Sequence, residues 1–288
     1  MQIKFAALTS IKHQERYKMK LYHYTDAHGL MGIIRNQALW ATDMRFLNDS
    51  KEMLAGIDLI ERRCSEIIEN ISCSEDHIFK STKKLYEFLP TFVRNNLSNR
   101  NTYIVSFSDA DDNLRQWMAY CPKNSGYAIE FDSKKILIDG NIERANHVVC
   151  RLEKVDYDEI ELDGIISPER IIEQLKTPNT DITKVALKTA NDLIFHCCAI
   201  KSSEFYDERE TRLIVQSQTE KTHPMSFRSR AGIIIPYFEY PVQHTWIKEI
   251  TIGPNSNMLL ARKGLEDFLH AHSISCNIRE SKCSLRVF

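Results

Sequence analysis

The residues best equipped for chemistry fall in one run, Tyr206-Asp207-Glu208-Arg209-Glu210-Thr211-Arg212-Leu213-Ile214-Val215. If Glu210 to Val215 is a strand, alternation puts Glu208, Glu210 and Arg212 on one face and Leu213 and Val215 on the other. Such a row is often only a charged ladder on an edge strand. In a cleft it does more: Arg212 holds its neighbour ionised and offers a fork for phosphate. A second candidate is the histidine of Tyr22-His23-Tyr24-Thr25. It sits in an apolar strand, ahead of a helix whose N-terminus, near Asp26, turns partial positive charge toward an anion. Strand histidines are more often satisfied structural residues. Asn48-Asp49 with Glu52 reads equally well as helix capping.

Other chemistries lack their residues. There is no G-x-x-x-x-G-K-[ST], G-x-G-x-x-G or G-x-S-x-G, and the chain has only nine glycines, so a P-loop or Rossmann phosphate turn is not expected. The eight cysteines include no C-x-x-C pair, and Cys197 and Cys198 are adjacent. His270 and His272, two apart on a helix end, do not share a face. No metal site is expected, and the thiols read as reduced and buried. No apolar run reaches the roughly 18–20 residues that span a bilayer, and the N-terminus lacks a signal-peptide pattern. The expected compartment is the cytoplasm, without membrane association. Net charge is −1, so no partner follows from the whole-molecule field; the first twenty residues are nevertheless basic, and Glu153–Asp163 is acidic.

The elements that must position these residues are legible from periodicity. Period-two runs at Leu21–Thr25, Ala38–Thr42, Tyr103–Ser108, Gly126–Phe131, Thr211–Gln216, Gly232–Tyr237, Trp246–Ile252 and Ile274–Ile278 predict strands. Helical spacing predicts helices after Asp26, over Ser50–Ile71, Asp76–Leu97, Asn113–Tyr120, much of Ser167–Ser203, and Asn257–Ala271. Strands at both ends with helices between them predict an α+β fold: one mixed sheet carrying helical insertions, in a single domain over residues 1–288.

In this order the segments resemble a known family. Leu21-Tyr22-His23-Tyr24-Thr25, Phe46-Leu47-Asn48-Asp49-x-x-Glu52, Ser106-Phe107-Ser108, Trp117-x-x-Tyr120, Gly126-Tyr127-x-Ile129-x-Phe131, Glu208-x-Glu210-x-Arg212 and Ile250-x-Ile252-Gly253-Pro254 are similar to a large bacterial family of unknown function. That family is related to abortive-infection proteins of the AbiGi type and grouped with ADP-ribosyltransferases; the pattern also resembles the DarT toxins, which modify nucleic acid. The resemblance implies an ADP-ribosyltransferase-like core and NAD as substrate, with no metal. It puts His23 on the adenosine-side ribose, Ser106-Phe107-Ser108 beside the nicotinamide, and the catalytic carboxylate at Glu210 or Glu208, with Arg212 beside it. Tyr24, Thr25, Asn48, Trp117 and Tyr120 join the NAD-binding set, Tyr24, Phe107 and Trp117 as stacking faces. Arg212, Arg45 or Arg228 would hold the pyrophosphate. Tyr206 stands near where the family has Trp, and Asn48-Asp49-Ser50 replaces Asn-Asp-Pro.

The implied activity is that of an ADP-ribosyltransferase toxin of phage defence or a toxin–antitoxin pair, neutralised by a partner protein. The expected acceptor is a base in single-stranded RNA or DNA, with the N-terminal cations, Lys80-Lys83-Lys84, Arg228 and Arg230 along the backbone and Trp40, Phe46 or Tyr120 as stacking faces. The competing readings are a metal-independent ribonuclease using His23, Glu210 and Arg212, and a non-catalytic binding module. Glu210→Gln is expected to abolish transfer and leave the fold intact.

Overall fold

The computed structural model describes residues 20–47, 51–71, 76–121, 125–138, 148–157, 162–217 and 226–283. The fold is α+β, and the ten strands among these residues join in one mixed sheet. β1 (Lys20–Thr25) leads through Asp26, whose carboxylate accepts from the Gly29 amide at 2.7 Å, into α1 (Ala27–Asn36). Leu30, Ile33 and Ile34 of α1 are buried. β2 (Ala38–Asp43), α2 (Lys51–Asn70), α3 (His77–Asn99) and β3 (Thr102–Ser108) follow. Next come α4 (Leu114–Tyr120), β4 (Tyr127–Asp132), α5 (Ser133–Ile138), β5 (Val148–Lys154), α6 (Asp163–Ile166), α7 (Pro168–Lys176) and α8 (Ile182–Cys197). β6 (Glu210–Ser217), β7 (Ser226–Arg230), β8 (Ile233–Pro241), β9 (Ile247–Ile252), α9 (Met258–Ala271) and β10 (Asn277–Glu280) complete the chain.

The sheet branches at β3. One edge of β3 pairs with β6 over its whole length, from Thr102 against Gln216 to Ser108 against Glu210. The other edge is shared: its start pairs with β2 at Ile104–Thr42, and its end with β1 at Ser108–Tyr22. Two arms therefore leave the same edge, β1-β4-β9-β10 and β2-β8-β7. β1 and β2, joined by α1, part beside Val105 and Ser106, and a cleft opens there.

Two apolar cores flank the sheet. Val105, Phe107, Leu213 and Val215 face α1, α5 and α9; Ile104 and Ile214 face the insertion helices α2, α3, α7 and α8. The predicted alternation of β6 holds for its apolar residues. Glu210, Arg212 and Gln216, with Ser106 of β3, share the side of Ile104 and Ile214.

β5, β7, α5 and α6 form where no element is expected. β5 and β7 each pair along one edge only, and the charged residues of β5 (Arg151, Glu153, Lys154) and of β7 (Arg228, Arg230) leave little apolar period-two signal. Several of the motif residues turn out to be packing devices. The Trp117 ring lies against Gly253, where an added Cβ would come within 2.8 Å of it, and Gly253 N–H donates to the Gly126 carbonyl at 2.8 Å. Gly253→Ala is expected to cost about 1–3 kcal/mol by displacing that ring. Chemical denaturation would check this; an unchanged midpoint would show that the ring can move freely.

Candidate functional site

A cavity of about 660 Å³ fills the cleft between the two arms. β1 and α1 supply His23, Thr25 and His28; β3 supplies Ser106; β2 and β7 supply Trp40 and Arg228; the end of α4 supplies Tyr120. Glu208, Glu210, Arg212 and Lys201 line it from the β6 side.

These four form one buried charge cluster. Glu210 takes a bidentate pair from Arg212, Nε to Oε1 at 2.9 Å and Nη2 to Oε2 at 3.0 Å. Lys201 Nζ donates to Glu210 Oε2 at 3.1 Å and to Glu208 Oε2 at 2.9 Å, and lies 4.8 Å from the Phe205 ring centre. Arg212 Nη1 also donates to the Cys198 carbonyl at 2.9 Å. Burial alone would raise the Glu210 pKa, but the charge and hydrogen bonds of Arg212, then Lys201, hold it down at about 2. Lys201 moves the other way: burial works against its charge, but Glu210 and Glu208 overcome it and raise its pKa. Tyr120 is pushed up to about 12 by burial and by Glu208 and Glu210.

The local backbone accounts for this convergence and corrects one expectation. β6 starts at Glu210, so Glu208 is not on its face. It ends a 3-10 turn, Ser203–Glu208, and Arg209 then takes the left-handed conformation, φ 46°. That kink returns Glu208 to the same ammonium that Glu210 meets. Ser108 Oγ and Gln116 Nε2 donate to the Glu208 carbonyl at 2.8 and 3.0 Å, and Glu210 N–H donates to Tyr157 Oη at 2.9 Å. Nor is β6 an edge strand: β3 and β5 flank it and every residue in it is buried. The charged row is therefore interior, not a solvated ladder.

His23 of β1 reaches β3 where β1 and β2 part, donating through Nδ1 to the Ser106 carbonyl at 3.1 Å. This bond sets the tautomer and leaves Nε2 as the acceptor. Burial lowers the His23 pKa, and the Arg228 charge lowers it further, so the ring is neutral at neutral pH.

Other expected site residues divide. Thr25, Ser106 and Tyr120 line the cavity, as do Trp40 and Phe46. Trp117 is only 1% exposed, donates through Nε1 to Asp112 at 2.7 Å and meets the Tyr24 ring edge-on at 4.6 Å. It can stack on no ligand. Phe107 is core-packed on the opposite face of β3 from Ser106 and offers no open ring face; Tyr24 does line the cavity, although it is 6% exposed and ties its hydroxyl to the Ala110 carbonyl at 2.7 Å. Ser108 positions Glu208 from a buried site. Arg45 is engaged by Asp43 at 2.6 Å and does not line the cavity. Lys80, Lys83 and Lys84 are on α3, which contributes nothing to the cavity. Asn48 and the basic residues before Lys20 lie outside the described residues. Sequence reasoning missed Lys201, Phe205 and Tyr157: Lys201 fell in a segment read as helical, Tyr157 in one read as merely acidic, and Phe205 between assigned elements, so no pattern marked them.

A family model described as protein of unknown function (DUF2971) matches residues 116–213. The match takes in Trp117, Tyr120, Lys201, Glu208, Glu210 and Arg212, while His23, Trp40 and Arg228 lie outside it. No curated protein and no solved structure matches the chain. Among the described residues, no helix is long and apolar enough to cross a membrane.

Proposed function

We propose that this cavity carries out NAD-dependent ADP-ribosyl transfer. The supporting observation is the Glu210 carboxylate: buried, gripped by Arg212 and Lys201, and fixed at the wall of a cleft that also presents a neutral His23. Cleaving the nicotinamide–ribose bond of NAD builds positive charge on the sugar, as glycoside cleavage does. Glu210 supplies a negative charge already oriented before the reaction, which is where electrostatic catalysis gains most. A carboxylate ionised down to about pH 2 is a poor base, so its role is charge stabilisation. The same property weakens any ribonuclease scheme that would use Glu210 as a general base. His23 Nε2 accepts a ribose hydroxyl in this scheme, and Tyr120 and Ser106 border the reacting sugar.

The acceptor we favour is a base in single-stranded nucleic acid, and the biological setting a defence or toxin–antitoxin toxin with a neutralising partner protein. The likeness to AbiGi-type and DarT proteins supports that setting through motif order alone. Incubating the purified protein with labelled NAD and either oligonucleotides or cell protein tests both levels. Nicotinamide release with label on the oligonucleotide is the expected result. Label confined to protein would overturn the acceptor, and no nicotinamide release with any acceptor would overturn the activity.

A further inference from the structure

The β2-β8-β7 arm presents a face to the cavity that the charge cluster does not use. Register puts Trp40 opposite Glu239, Thr42 opposite Tyr237 and Arg228 opposite Ile235, so these side chains share one face. The Trp40 and Tyr237 ring centres are 4.7 Å apart, tilted by 35°. The Arg228 guanidinium lies 5.5 Å from the Trp40 centre and 5.6 Å from that of Tyr237, and donates to Thr42 Oγ1 at 2.7 Å. Trp40 remains 41% exposed.

Arg228 makes no ion pair among the described residues. Burial and the neighbouring charge of Arg230 both lower its pKa, which marks a cation in want of an anion. The carboxylate on this face, Glu239, is occupied by Ser226 Oγ at 3.0 Å and Tyr237 Oη at 3.5 Å. Arg230 lines the cavity with Arg228, and Ala231 and Gly232, at φ 49° and 78°, form the tight turn that brings β7 back over β8. A half-buried guanidinium beside an open indole suits a phosphate attached to a flat heteroaromatic ring.

We infer that Trp40, Arg228 and Arg230 form a nucleoside-phosphate subsite, the ring stacking on Trp40 and the phosphate on the two arginines. The inference deepens the transferase reading, on which it rests only for where in the cavity the chemistry happens. The ligand chemistry has two sources, the adenylate half of NAD or a nucleotide of the acceptor.

Intrinsic fluorescence reads this site directly, because the other two tryptophans, Trp117 and Trp246, are 1% and 6% exposed. Titrated AMP should quench the wild-type emission, with adenosine binding at least about ten-fold more weakly. Arg228→Gln should lose a similar factor, and Trp40→Phe should abolish the quench while AMP binding by calorimetry weakens only a few-fold, since a ring remains. Competition then separates the sources: displacement of AMP by NAD but not by a single-stranded decanucleotide assigns the subsite to NAD, and the converse assigns it to the acceptor. Absence of quenching at millimolar AMP, or equal affinities for AMP and adenosine, would overturn the subsite. Binding is read without turnover, so an inactive protein that still binds AMP would refute the transferase reading and leave the subsite standing.

Discussion

Glu210→Gln is expected to reduce transfer by at least about 10²-fold, because it removes the fixed negative charge that the proposed mechanism sets against a developing cation. The structure changes the second half of that expectation. Glu210 partners two buried cations, so the amide leaves Arg212 and Lys201 short of charge, and the variant should lose about 3–5 kcal/mol of stability. Turnover per folded molecule, measured well below the variant's melting temperature, separates the two effects. Retention of more than a tenth of wild-type turnover would shift the catalytic role to Glu208. The pH dependence is a further signature. Folding lowers the Glu210 pKa from 4.5 to about 2, so its stabilisation is complete above about pH 4.5 and is lost as pH falls toward 2. The acid loss should be smaller in the variant.

Lys201→Met should produce the opposite slope. Lys201 is the only ion-pair partner of Glu208 among the described residues and the second partner of Glu210. Methionine keeps the length of the stem against Phe205 but removes the charge, leaving two buried carboxylates facing each other with Arg212 engaged by one. The cost near neutral pH should again be about 3–5 kcal/mol. Protonating one carboxylate relieves the repulsion, so the variant should gain stability as pH falls from 7 toward 5, where wild type does not. Unfolding curves across that range decide it. Parallel pH profiles would show that Lys201 is a bystander and that Arg212 alone holds the pair. A conservative Lys201→Arg, which can bridge both carboxylates, should restore the wild-type slope.

The helix starts were legible because capping is local. Asp26, Asn113, Ser167 and Asn257 each accept from a backbone amide two or three residues on. The apolar alternation of Leu213, Ile214 and Val215 was legible for the same reason: each side of the sheet buries its own core, and period two records it. The candidate carboxylates, His23 and Arg212 were found by residue type within single short segments.

Their assembly was not local. His23 meets Ser106 across 83 residues, through a bond that exists only because β1 and β2 share one edge of β3 and then part. No period in the sequence encodes that branching. Nor does strand alternation bring Glu208 to Glu210: the left-handed turn at Arg209 and the ammonium of Lys201 do so from outside β6. The fate of the aromatic residues was decided in the same way. Trp117 and Trp40 are indistinguishable by type, but one is closed in by Gly253 and the other left open beside Arg228. Local propensity and burial pattern determined which segments became strands and helices; long-range pairing determined which of their side chains share a cavity.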